Sequence, residues 1–66
     1  MDKSLIAKKL LALRGDKSRE EVAFSLGVSV SALTMYETGK RIPRDEIKLR
    51  IAKYYETDLQ SIFFEN

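Results

Sequence analysis

Residues 18–43 read SREEVAFSLGVSVSALTMYETGKRIP. Two short helical patterns sit inside this stretch, separated by one glycine. Ser18 stands three residues before Glu21, the spacing of a capping box, in which a hydroxyl accepts an orphan backbone N–H at a helix start. Val22, Ala23 and Leu26 recur at helical spacing and form a buried face. Gly27 ends the segment, because a sharp turn needs the left-handed backbone that glycine adopts freely. Val28 follows as an apolar plug. Ser29 is a second hydroxyl cap and opens a segment to about Thr38, with Ala32, Leu33 and Tyr36 on its inner side. Gly39 closes it. Two capped helices joined by a tight glycine turn have the spacing of a helix-turn-helix, here over residues 18–38.

Outward from this stretch the same periodicity continues. Ile6, Leu10 and Leu13 form a stripe that stops at Gly15 and Asp16. After Ile42-Pro43, an extended connection, a fourth helix is expected from about Arg44 to Tyr55. Asp45 and Glu46 lie in its first turn, where the helix dipole favours negative charge. Its stripe is Ile47, Ile51 and Tyr54 or Tyr55. Asp58 caps a last short helix over residues 58–64, with Leu59, Ile62 and Phe63 facing inward. Signals for β-strands are weak. The expected fold is all-α: one compact five-helix bundle over residues 1–66.

The outer face of the third helix is Val30, Ser31, Thr34 and Met35. It carries no strong charge, whereas a merely solvated helix usually carries Glu and Lys. Short hydroxyls and methyls fit against base edges: Ser and Thr bond several bases, and Val or Met packs on a thymine methyl. The competing reading is a protein-binding face built on Val30 and Met35. Basic residues bracket the helix, with Arg19 on one side and Lys40, Arg41 and Arg44 on the other. Backbone N–H groups at a helix start, here at Ser29, also hold phosphate. Residues 1–44 carry nine Lys/Arg against five Asp/Glu, whereas residues 45–66 carry three against five. A basic portion joined to a mildly acidic end suits a polyanion on one side.

These residues resemble the Cro and lambda-repressor-like (XRE-type) helix-turn-helix domains. The likeness runs from about Ile6 to Phe63 and is strongest over Ser18–Pro43. There Glu-x-x-Ala, Leu-Gly-Val-Ser, and a helix ending in Tyr-Glu-x-Gly-Lys-Arg and Pro follow in order. The resemblance implies a DNA-binding transcriptional regulator, a repressor, whose helix Ser29–Thr38 enters the major groove of double-stranded DNA. It implies base or backbone contacts at Val30, Ser31, Thr34 and Met35. The position of Arg19 is usually a glutamine that binds phosphate and braces the reading helix. The connection from Arg14 to Ser18 is shorter than is usual in the family. Glu56 stands where such domains often have glycine or asparagine, which puts strain on that turn.

Other classes fit less well. The chain has no His or Cys and no glycine-rich phosphate loop, so catalysis, a cofactor and thiolate metal sites are not expected. The absence of cysteine suits a reducing, cytoplasmic setting, and the resemblance implies a bacterial or phage-encoded protein. No apolar run approaches the roughly 18 residues of a membrane span, and the start lacks the layout of a signal peptide. No small-molecule ligand is indicated. The rival reading is a protein-interaction module, such as the antitoxin of a toxin–antitoxin pair. Phe63 and Phe64 are neighbours about 100° apart on a helix, so one of them should be exposed. Leu59, Ile62, Phe63 and Phe64 are therefore expected at a two-fold homodimer contact, and the operator is expected to be roughly palindromic.

Overall fold

The computed structural model describes residues 2–64. Among them are five helices and no strand: α1 Lys3–Arg14, α2 Arg19–Leu26, α3 Val30–Glu37, α4 Asp45–Tyr54 and α5 Leu59–Phe63. The hydroxyl caps form as expected. Ser18 Oγ accepts from the Glu21 N–H at 3.1 Å, and Ser29 Oγ accepts from the Ala32 N–H at 3.0 Å. Asp2 does the same for α1. Asp58 precedes α5 without a side-chain cap; its carbonyl instead accepts the Ser61 hydroxyl at 3.0 Å. None of these helices is long and apolar enough to cross a membrane.

The core gathers one face from each helix. Leu10, Val22, Leu26, Leu33, Ile51 and Phe63 are its largest sealed apolar side chains. α3 packs on α1 and α2, α4 on α2 and α5, and α5 on α1. Thus α3 is held from behind while its other side stays open. α1 departs from the expected stripe. Ile6, Ala7 and Leu10 are buried, but Leu13 is 36% exposed. At about 100° per residue, Ile6, Ala7, Leu10 and Arg14 fall in one sector and Leu13 lies at its edge. The inner position in the last turn therefore goes to Arg14.

α5 also corrects the expected dimer contact. Ile62 and Phe63 are each 2% exposed and belong to the chain's own core. A five-residue helix lying across α1 and α4 directs two consecutive positions inward, and here these are Ile62 and Phe63. Leu59 is partly buried against the same core. Phe64 is 53% exposed, with the Lys48 ammonium 5.4 Å from its ring centre. Of the four residues, only Phe64 and the outer part of Leu59 are left to meet a second chain.

Three helices end in a left-handed residue, after which a backbone N–H bonds back into the last coil. α2 and α3 pass through Gly27 and Gly39, at φ 72° and 75°. α4 passes through Glu56 at φ 53°, the one non-glycine residue with positive φ among those described. There the Glu56 N–H meets the Lys53 carbonyl at 3.2 Å, and the Thr57 N–H meets the Ala52 carbonyl at 3.0 Å. A side chain in this conformation costs roughly 1–2 kcal/mol. Glu56→Gly is therefore expected to stabilise the fold by about 1 kcal/mol once the extra chain entropy of glycine is deducted. Thermal unfolding checks it: the midpoint should rise by about 4–8 °C, and a fall would refute strain at this turn.

Candidate nucleic-acid interface

The interface is built around the turn from α2 to α3. The left-handed Gly27 brings the Val28 N–H back to the Ala23 carbonyl at 3.0 Å. Val28 then packs, half-buried, against the core. From the other side, Arg50 of α4 donates Nη1 to the Leu26 carbonyl at 3.2 Å. A Cβ at residue 27 would lie 3.2 Å from that same nitrogen. The turn is thus clamped from α4 by Arg50, in addition to the direct packing of α2 on α3.

Leu33 and Tyr36 bury the inner face of α3, and Ala32 packs partly against the core. Val30, Ser31 and Met35 stand exposed on the outer face, with Val30 at 40% and Met35 at 37%. Thr34 shares that face but is half-buried. Its hydroxyl donates to the Val30 carbonyl at 2.8 Å, so it is left to act as an acceptor or through its methyl. Four of the expected base-reading positions are therefore brought onto one helix face, three of them open.

The expected phosphate-binding residues divide. Lys40, Arg41 and Arg44 are exposed on the connection from α3 to α4. Ser29 is exposed too, but its hydroxyl is occupied in capping; the unpaired backbone N–H groups of the first turn are what it leaves for an anion. Arg41 and Arg44 line a cleft of about 350 Å³ between the start of α3 and α4, together with Gly27, Ser29, Glu46 and Arg50. Glu46 tempers this positive cleft, lying 3.4 Å from Arg44 and 3.9 Å from Arg50. Arg50 carried no signal in the sequence, since an arginine in mid-helix reads as solvated.

Arg19 is placed differently. Its Nε donates to Glu37 Oε1 at 2.8 Å, and Arg14 Nε donates to the same carboxylate at 2.9–3.0 Å. Glu37 is 1% exposed. One signal could have revealed it: Leu33, Tyr36 and Glu37 have i, i+3, i+4 spacing, so the carboxylate lies on the core stripe. Nearby, burial of the Tyr55 hydroxyl, reinforced by the charge of Glu37, pushes its pKa up to about 12.

A protein-family model described as helix-turn-helix matches residues 7–62. No curated protein and no solved structure matches the chain. The matched span runs from within α1 to Ile62 of α5 and contains every residue of the face just described.

Proposed function

The chain belongs to the helix-turn-helix family of XRE and lambda-repressor-like DNA-binding regulators, and from this premise we propose that it is a sequence-specific transcriptional repressor. The observation that carries the proposal is the outer face of α3. It is free of charge at Val30, Ser31, Thr34 and Met35, yet flanked by Arg41 and Arg44. An α-helix fits the major groove, where hydroxyls and methyls meet base edges while arginines hold the phosphates alongside. α3 has no Gln, Asn or Arg for bidentate base contacts, so discrimination leans on thymine methyls and on DNA shape.

Selection from random duplex DNA, followed by binding titrations over salt, tests this reading. Arg41→Ala with Arg44→Ala should weaken binding to all duplexes alike and lower the salt slope by about one unit per lost phosphate contact. Ser31→Ala, Thr34→Ala and Met35→Ala should instead change the preferred base at particular positions, by about 1–3 kcal/mol each at most. An unaltered preferred site in all three variants would remove α3 from the reading role.

The functional unit on DNA is proposed to be a homodimer on a roughly palindromic operator. Phe64 is the support for this: a large ring left half outside a core that takes its neighbour whole. A two-fold contact presents the same ring from both chains, and burying it contributes about 1.5–3 kcal/mol per ring. The two α3 helices would then sit about 34–36 Å apart, one turn of DNA. Phe64→Glu should weaken self-association and binding to a paired site while leaving the fold intact. Sedimentation over a range of concentrations checks it, and identical association of variant and wild type would exclude Phe64 from the contact.

A further inference from the structure

Two apolar features of the surface are left uncovered, and they complement each other. Phe24 is 88% exposed, the most exposed large apolar side chain among the described residues. It stands on the side of α2 turned away from Val22, Ala23 and Leu26. Glu20 and Glu21 lie one turn earlier on the same side. Both are exposed, with no ion-pair partner among the described residues. α2 therefore presents a bare aromatic ring in an acidic setting. The counterpart lies elsewhere on the chain. A shallow, mostly apolar cleft of about 320 Å³ runs between α1 and α5, lined by Ala12, Leu13 and Ile62. An apolar cavity of about 150 Å³ already holds a benzene ring. Lys9 also lines the cleft, and Lys8 stands exposed one turn before Ala12. Lys3, Lys8, Lys9 and Arg14 are the only charged residues of α1, so this side is basic.

We propose that Phe24 of one chain seats in the α1/α5 cleft of a second copy, with Glu20 and Glu21 set against the basic rim at Lys8 and Lys9. Ring size, apolar lining and charge agree in this pairing, whereas Phe24 against Phe24 would set acid on acid. A chain cannot fill its own cleft. α2 packs on α3 and α4, while the cleft lies between α1 and α5, and the ring points to solvent. The contact is therefore heterologous, joining one patch to a different one. A chain engaged in it still offers either a ring or a cleft, so copies add head to tail until a ring of them closes. One aromatic side chain and a few surface charges cover far less area than a stable interface needs in dilute solution. Association is accordingly weak and grows with concentration. Neither patch includes Phe64 or the outer face of α3, so this contact goes beyond the two-fold one proposed above and leaves that face open.

The test uses the full chain carrying Phe64→Glu, which takes the two-fold contact out of the measurement. Sedimentation at rising concentration should show self-association that weakens with salt, as contacts between exposed charges do. Adding Phe24→Gln or Leu13→Glu should each weaken it about tenfold or more. Both positions are at the surface, and circular dichroism confirms that each variant folds. The discriminating arm mixes the two. The Leu13→Glu chain keeps its ring and the Phe24→Gln chain keeps its cleft, so the mixture should regain association and stop at one-to-one pairs. In an isotope-labelled Phe24→Gln chain, NMR signals of Ala12, Leu13 and Ile62 should shift as the Leu13→Glu chain is added. A Phe64→Glu chain that stays monomeric at every concentration would overturn the proposal, leaving Phe24 for a different partner. Undiminished association of Leu13→Glu would overturn it too, and would point to Phe24 packing on Phe24. So would a mixture no more associated than its two components.

Discussion

Glu37→Ala is expected to cost about 3 kcal/mol or more and to leave a large fraction of the chain unfolded on mild heating. The physical reason is the asymmetry between a buried pair and a buried remnant. The Glu37 carboxylate, sealed from solvent, accepts from Arg14 and Arg19. Removing one member of such a cluster strands the others, and typically costs about 3–5 kcal/mol. Here the lower end applies, because both arginines are partly exposed and can turn toward water. Three helix ends also lose their common anchor, so the loss should be cooperative. Domains of this size have little stability in reserve. Urea unfolding gives the measurement, and a midpoint unchanged from wild type would show that the cluster holds nothing together. Glu37→Gln should cost less, since an amide oxygen still accepts from one guanidinium.

Phe63→Ala is expected to cost about 3–5 kcal/mol, the usual range for emptying a buried aromatic site. Phe63 is 2% exposed and packs with Ile62 into the core formed by α1, α2, α3 and α4. Its ring also lies 5.8 Å from the ammonium of Lys48, itself buried to 7% exposure, so truncation removes a cation–π partner along with the packing. α5 has only five residues and cannot persist by its own propensity. Losing Phe63 should therefore release the whole helix and uncover the apolar side of α4. Circular dichroism on urea titration would show a lower midpoint, and a cost below about 1 kcal/mol would contradict the placement of Phe63 in the core. The contrast with Phe64→Glu is the useful one. That substitution is expected to be nearly neutral for folding, because its site is half open to solvent.

Several features of this protein were already determined by local sequence. Ser18, Ser29 and Gly27 place the turn between α2 and α3 to within a residue, because caps and left-handed glycines act over three or four positions. The stripes Val22, Ala23, Leu26 and Leu33, Tyr36 show which sides of α2 and α3 face inward, and hence that Val30, Ser31 and Met35 face out. The strain at Glu56 was legible for the same reason: it concerns one φ angle. Tertiary structure decided everything that depends on which helix end meets which. Periodicity indicates a face but not its exact centre, so it assigns Leu13 to the core where Arg14 turns inward instead. It could show that one of Phe63 and Phe64 must be exposed, but only the docking of α5 on α1 and α4 assigns Phe63 to the core. The clamp of Arg50 on the Leu26 carbonyl spans 24 residues, and the bond from Arg19 to Glu37 spans 18. A side chain's partner across such a distance is set by three-dimensional packing. No spacing rule along the chain can report it.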